Sequence, residues 1–315
     1  MSRAISPIDL LPEPWVNSPH CDRGESGIRL SLVRWNSSQM GKLDRLHWKA
    51  GVSFTMFGVR IGIRANLPEL LDPLMSYLPA GWRPIRSSEV ERLYSVIGAD
   101  GAGLQESVRR VNFLFGNAQQ LARTTQWEQL CEAFESDACF YVGQTTPTWL
   151  FVHAGVVGWK GCAVVIPGRS HSGKTTLVQA LLEAGAAYYS DEFAVFDQEG
   201  RVRAFPRWLS VRTNATSARI APAQFGARTG SESLPVGLVI LSRYKPGARW
   251  RPKVLSLGEG MLGLLQNTLS ARRYPELAFQ TLERVVCRAH VLGGARGEAK
   301  ETAQSILRHL EQVTA

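Results

Sequence analysis

The residue run with the clearest chemical meaning is GRSHSGKTT at positions 168–176, which fits the pattern G-x-x-x-x-G-K-[ST] at every fixed position. In this phosphate-loop (P-loop) pattern, glycines let backbone N–H groups surround phosphate oxygens, and the lysine reaches the β- and γ-phosphates. A chain of this composition matches the pattern by chance about once in a hundred cases. The run predicts a nucleoside triphosphate site formed by Gly168, Arg169, Ser170, His171, Ser172, Gly173, Lys174, Thr175 and Thr176.

A pair of carboxylic acids, Asp191-Glu192, follows Lys174 by 17 positions. One helix and one strand fill that distance, so a strand that is the parallel neighbour of the loop's own strand would carry the pair to the phosphates. One carboxylate could then hold Mg²⁺ together with the Thr175 hydroxyl, while the other accepts a proton from an attacking hydroxyl group. The alternative is a pair of exposed acids at a strand end.

The sequence around these residues predicts alternating strands and helices, which is typical of an α/β fold. Two β-branched runs separated by Gly158-Trp159-Lys160-Gly161 predict a hairpin directly before the loop. The predicted strands are 149–159, 161–168, 186–190, 193–197 and 236–242, and the predicted helices are 175–185 and the tail from Leu257 onward.

The first half of the chain shows no group of residues of catalytic type. Residues 1–50 have weak periodicity and are expected to form an irregular arm. Residues 52–65 alternate like a hairpin turning at Gly58, and Asn66 is placed to cap a helix over 67–78. A second helix is expected around 117–138, and a polar stretch near residue 145 indicates a domain boundary.

Five segments, taken in order, resemble the C-terminal domain of HPr kinase/phosphorylase and, more closely, the HPr-kinase-related kinases of bacteria. The segments are HAGVV, PGRSHSGKTTL, YYSDEFAVF, FPRWLSVR and ILSRYKPGA. The resemblance covers residues 145–315, with a looser likeness in FGVRIGIR and LPAGW. It implies an α/β fold in which a P-loop kinase core of the HPr kinase/PEP carboxykinase type follows a smaller N-terminal α/β domain. The expected divisions are 1–50 (arm), 51–145 (N-terminal domain, for recognition of substrate or partner) and 146–315 (catalytic domain).

The resemblance also implies roles for individual residues. Asp191 matches the base that activates the acceptor hydroxyl, and Glu192 stands where the family has an acidic metal-site residue, usually Asp. Lys174 matches the lysine of the nucleotide site, with ATP and Mg²⁺ as the implied ligands. His153 matches a histidine near the loop and the catalytic acid, although a buried histidine that only supports the strand end is an equal alternative.

One departure from the family pattern limits what the resemblance implies. The Glu-x-Arg-Gly-x-Gly run that follows the second acid in true HPr kinases is replaced by PRWLSVR. We therefore expect neither reversal by phosphorolysis nor HPr itself as the acceptor. Arg207 and Arg212 in this segment could hold phosphate or an acidic substrate, as could Arg243 and Lys245 further on; each is equally compatible with a surface position.

Composition excludes several classes of protein. Lys and Arg number 36 against 27 Asp and Glu, which gives a net charge of +9, but the basic residues are scattered, a pattern that disfavours nucleic-acid binding. The five cysteines form no CxxC pair, and we expect free thiols in a reducing cytoplasm. Neither a signal peptide nor a membrane span is expected from the apolar runs.

The sequence thus predicts an ATP- and Mg²⁺-dependent phosphotransferase whose acceptor is a Ser or Thr hydroxyl of a peptide or small protein. Two alternatives stay open: a kinase of a sugar or other metabolite, and a nucleotide-dependent regulatory module that transfers no phosphate. The oligomeric state also stays open, with a homo-oligomer among the alternatives.

Overall fold

The computed structural model describes residues 37–79, 81–99, 111–168, 172–212 and 217–314. The chain divides into two compact units, Met1–Val142 and Gly143–Ala315, called here the N-terminal and C-terminal units. Both contain a mixed β-sheet with helices, so the α/β class is confirmed at this level. None of the described helices is long and apolar enough to cross a lipid bilayer.

The N-terminal unit contains a six-stranded sheet in the order β3-β1-β2-β4-β5-β6. Only the β2–β4 pair is parallel among the pairs described. Its helices are α1 (Ser37–Asp44), α2 (Leu71–Met75) and α3 (Trp127–Thr145), with a 3₁₀ turn at Pro68–Leu70. Its strands are β1 (Ala50–Met56), β2 (Val59–Ala65), β3 (Trp82–Pro84), β4 (Arg92–Ile97), β5 (Asn112–Gly116) and β6 (Gln119–Thr124).

The predicted hairpin at 52–65 is confirmed as β1–β2. Its register leaves a two-residue turn, Phe57-Gly58, and both residues have positive φ (51° and 83°). A turn of this kind matches the right-handed twist of the strands that it joins, and glycine adopts it without a steric penalty.

Three expectations for this unit are wrong. The Asn66 side chain caps no helix; it exchanges hydrogen bonds of 2.9 and 3.0 Å with the Gly98 backbone, and the helix after it shortens to the 3₁₀ turn and α2. The helix expected around 117–138 begins only at Trp127, because residues 119–124 pair with β5 as an edge strand. The arm of 1–50 contains helix α1; residues 1–36 lie outside the described residues.

The C-terminal unit contains an eight-stranded sheet in the order β11-β10-β7-β8-β14-β16-β15, with β9 also paired to β7. Its strands are β7 (Leu150–Trp159), β8 (Cys162–Pro167), β9 (Ala187–Ser190), β10 (Phe193–Phe196), β11 (Val202–Arg203), β12 (Leu209–Arg212), β13 (Ser217–Ile220), β14 (Val236–Tyr244), β15 (Lys253–Val254) and β16 (His290–Arg296). Its helices are α4 (Lys174–Glu183), α5 (Leu257–Leu265), α6 (Pro275–Arg288) and α7 (Ala299–Thr314), and β12–β13 form a separate hairpin.

Helices cover both faces of this sheet. Alternate residues of β8 face opposite sides: Val164 packs with the apolar face of α4 and α7, and Val165 packs with that of α5 and α6. The predicted β7–β8 hairpin is confirmed, with Lys160-Gly161 as its two-residue turn. The expectation of a helical tail from Leu257 is wrong in part, since β16 lies between α6 and α7 and pairs in parallel with β14.

Candidate functional site

The predicted phosphate loop lies between a central strand and a helix. Strand β8 ends at Pro167, and α4 begins at Lys174; residues 169–171 lie outside the described residues. Gly173, at the helix N-cap, has a left-handed backbone (φ 80°, ψ 20°). A Cβ at this position would also collide with the Arg296 guanidinium, so glycine is required by conformation and by space.

Lys174 is buried at the base of this loop, with 8% of its surface exposed. Its Nζ donates to the Gly168 carbonyl oxygen at 2.6 Å and lies 3.2 Å from Nδ1 of His153. Burial lowers the pKa of Lys174, while the nearby Asp191 and Glu192 charges oppose that shift. The lysine is thus held inside the loop by the loop's first glycine.

His153 joins the loop to the strand beside it. Its Nδ1 lies 2.7 Å from the Gly168 carbonyl oxygen, and its backbone carbonyl accepts from the Gly168 N–H at 3.2 Å. Nδ1 can donate to Gly168 in one tautomer or accept from Lys174 in the other. Burial lowers the pKa of His153, so the neutral imidazole is favoured.

Asp191 contacts the first turn of α4. The Thr175 hydroxyl donates to Oδ2 of Asp191 at 2.9 Å, and Oδ1 is buried without a hydrogen-bond partner among the described residues. Burial raises the pKa of Asp191 to about 7, against opposing effects of the Thr175 hydrogen bond and the Lys174 charge. This carboxyl group is therefore poised to exchange a proton near neutral pH.

The strand order that brings Asp191 to the loop differs from the predicted one. Strand β9, which precedes Asp191, is not the parallel neighbour of β8; β7 lies between them and is antiparallel to both. Because β8 and β9 run in the same direction on either side of β7, both end at the same edge of the sheet. His153 lies on β7 between them, opposite Phe193 in the register.

Glu192 takes part in an ion pair beside the loop. Its Oε2 lies 3.1 Å from Nη1 of Arg207, and its Oε1 lies 3.8 Å from Nε2 of His153. The Arg207 carbonyl accepts from the buried Tyr188 hydroxyl at 2.8 Å, which fixes this segment next to β9. The structure therefore brings Arg207 to the acidic pair.

For the other predicted site residues, the structure shows a position but no contact with Lys174 or the acidic pair, or does not describe the residue. Ser172 lines the pocket at the loop, and Thr176 is exposed on α4. Arg243 and Lys245 are exposed at the end of β14 and just after it. Arg212 ends β12, with its side chain outside the description, and Arg169, Ser170 and His171 lie wholly outside it.

The residues present fit a hard cation bound together with phosphate. The Thr175 hydroxyl and Oδ1 of Asp191, which has no hydrogen-bond partner among the described residues, are oxygen atoms of the kind that such a cation prefers. Among the described residues, no group of three or more His, Cys, Asp and Glu side chains could hold an ion by itself. Mg²⁺ commonly uses one or two protein oxygens and completes its shell with phosphate oxygens and water.

Sequence reasoning missed one residue at this site, Arg296 at the end of β16. Its Nη2 donates to the Gly173 carbonyl oxygen at 2.8 Å, and its side chain lines the same pocket as Ser172 and Lys174. No local signal marks it, because the segment around it was expected to be helical and its position depends on the pairing of β16 with β14.

Comparisons with known proteins give little beyond this geometry. No family model matches the chain, and no curated protein matches it. Among solved structures, the chain is similar to the HPr(Ser) kinase/phosphatase from Coxiella burnetii, with 14% identity and a TM-score of 0.30 over 51% of this chain and 96% of that chain. A superposition this weak does not establish a common fold, so the functional proposal rests on the site itself.

Proposed function

We propose that the C-terminal unit is an ATP- and Mg²⁺-dependent phosphotransferase that moves the γ-phosphate to a hydroxyl group. The observation that carries this proposal is the 2.9 Å hydrogen bond from Thr175, in the phosphate loop, to Asp191. It sets a carboxylate with a pKa of about 7 next to the position where the loop pattern predicts the phosphates.

Each group of the site has a role in this reaction. Lys174 and the loop N–H groups stabilise the charge on the phosphates. Mg²⁺, when held by Thr175 and Glu192, would neutralise part of that charge and leave Asp191 to accept a proton. Asp191 orients the acceptor hydroxyl and takes its proton as the acceptor oxygen bonds to the γ-phosphorus and the bond to the β-phosphate oxygen breaks, releasing ADP.

Glu192 and His153 support this arrangement. The Arg207–Glu192 ion pair restrains the Glu192 side chain, which would supply a carboxylate for the metal. His153 fixes the Gly168 carbonyl that also holds Lys174, which is a positioning role. We propose a Ser or Thr of a peptide or small protein as the acceptor, on the resemblance of the motifs alone.

The direct test is to incubate the protein with Mg²⁺, γ-labelled ATP and separate pools of peptides, small proteins and metabolites. We expect label to appear on a hydroxyl-bearing acceptor and ADP to form in equal amount, because the reaction conserves the transferred group. Label on a metabolite would make the chain a small-molecule kinase. Tight ATP binding with no label on any acceptor would contradict phosphotransfer and favour a regulatory module.

The rate of transfer should depend on pH through Asp191. A base must be ionised to act, and burial raises the pKa of Asp191 to about 7. We therefore expect kcat/KM for ATP to rise about tenfold per pH unit below about pH 7 and to level off above it. The pKa of His153 is lowered by burial, so its titration falls at lower pH. A profile that is flat across this range would exclude Asp191 as the base.

A further inference from the structure

Arg296, the last residue of β16, carries a buried positive charge at the phosphate loop. Only 2% of its surface is exposed. Its Nη2 donates to the Gly173 carbonyl oxygen at 2.8 Å, and its Nη1 donates to the Gly297 carbonyl oxygen at 3.2 Å. Its Nε is buried with no hydrogen-bond partner among the described residues. One donor of the guanidinium thus has no acceptor in the part of the chain that the structure describes.

Among the described residues, no carboxylate neutralises this charge at close range. In the part of the chain that the structure describes, no Asp or Glu oxygen lies within ion-pair distance of Arg296. Glu298 and Tyr244 favour the charged form, but burial dominates and lowers the pKa of Arg296. The guanidinium carbon lies 5.4 Å from the Tyr244 ring centre, which is a weaker interaction than an ion pair.

A buried cation without an anion is costly, so its position needs a reason. Arg296 lines the pocket at the phosphate loop together with Lys174, Ser172 and Ser242. The N-terminus of α4, which carries a partial positive charge, lies at the same pocket. Cationic and polar groups from three elements therefore line this pocket, and none of its described lining residues is an Asp or Glu.

We propose that Arg296 is a phosphate-binding residue and that the phosphate chain of the nucleotide supplies the missing anion. This inference rests on the proposed function for the identity of the ligand. Nε would donate to a phosphate oxygen, while the hydrogen bond from Nη2 to the Gly173 carbonyl fixes the position of the guanidinium relative to α4. Arg296 would thus add a second cation to Lys174, from a strand that follows the loop in sequence by more than a hundred residues.

The test is calorimetric binding of ATP, tripolyphosphate and AMP to the full-length wild-type protein and to the Arg296→Gln protein. We expect the substitution to weaken ATP and tripolyphosphate binding by about tenfold or more, since it removes a charge-assisted hydrogen bond. The affinity for AMP, which has a single phosphate, should fall by less than about threefold. The matched control is Arg308→Gln, which removes the same charge from an exposed position on α7.

A purely structural role for Arg296 predicts a different result. In that case, the substitution would lower the melting temperature of the ligand-free protein and reduce the affinity for all three ligands equally. Either this result or an unchanged affinity for ATP would overturn the inference. Should Arg296→Gln fail to fold, Arg296→Lys decides, because it keeps the charge but not the planar set of donors. We expect that variant to bind ATP about three- to tenfold more weakly. An unchanged ATP affinity would overturn the inference.

The outcomes also separate this inference from the proposed function. Wild-type protein that binds neither ATP nor tripolyphosphate overturns both. ATP binding that depends on Arg296, without transfer to any acceptor, overturns only the phosphotransferase. Transfer by the wild-type protein, with Arg296→Gln binding ATP equally well, overturns only the role of Arg296.

Discussion

Replacing Asp191 with Asn is expected to reduce phosphate transfer by roughly 10²–10⁴-fold while changing ATP affinity by no more than about threefold. Asn has the same shape and its amide oxygen can still accept from the Thr175 hydroxyl, but it cannot take a proton. It also resembles the protonated carboxyl group that burial favours at this position, so the fold should not be weakened. Single-turnover transfer and equilibrium binding of ATP, measured on the same preparation, check the two parts of this result.

The matched control is Asp197→Asn, at the other end of β10. Asp197 accepts a hydrogen bond from the Arg201 N–H at 2.8 Å, which an Asn oxygen can also accept. This variant should transfer phosphate at the wild-type rate. Wild-type transfer by the Asp191→Asn protein would remove Asp191 from the mechanism, and with it the observation on which the phosphotransferase proposal depends.

Local sequence signals were sufficient for the hairpins and for the strand and helix on either side of the predicted loop. Gly58 and Gly161 each end a two-residue turn whose positive φ values favour glycine, and the flanking residues alternate as strands do. The signals for β8 and α4 are equally local, because this strand and this helix follow one another in the chain. These features depend on residues a few positions apart, where propensity and periodicity carry information.

Long-range pairing explains what the sequence did not predict. The Asp191 strand reaches the loop edge through β7, because β7 is long enough to pair with β8 along one side and with both β9 and β10 along the other. Residues 119–124 form a strand because β5 offers them an edge, although their composition suits a helix. The Asn66 side chain bonds to Gly98, a contact that no cap pattern contains.

The same reasoning explains why the site was predicted in part. Lys174, Thr175 and Asp191 follow from a motif and a spacing, and the structure brings them together. Arg207 lies in the irregular segment between β11 and β12, so the sequence could offer its contact with Glu192 only as one alternative. Arg296 had no signal, since a Gly-Gly segment inside an apparent helical tail gives no reason to expect a central strand.

Replacing Lys174 with Ala is expected to weaken ATP binding by about thirtyfold or more and to reduce the rate of transfer by roughly a hundredfold or more. Its ammonium group donates to the carbonyl oxygen of Gly168, the loop's first glycine, at 2.6 Å. The fold should survive, because Nδ1–H of His153 can still donate to that carbonyl and no buried acceptor is left unpaired. Calorimetry and single-turnover kinetics measure the two losses separately.

Lys160→Ala provides the matched control, since that side chain is 62% exposed at the β7–β8 turn and pairs only with Glu311 among the described residues. It should bind ATP and transfer phosphate as the wild-type protein does. The two site variants should then differ: loss at Asp191 affects the chemical step alone, whereas loss at Lys174 affects both binding and chemistry. A Lys174→Ala protein with unchanged ATP affinity would place the nucleotide elsewhere and contradict the assignment of the loop.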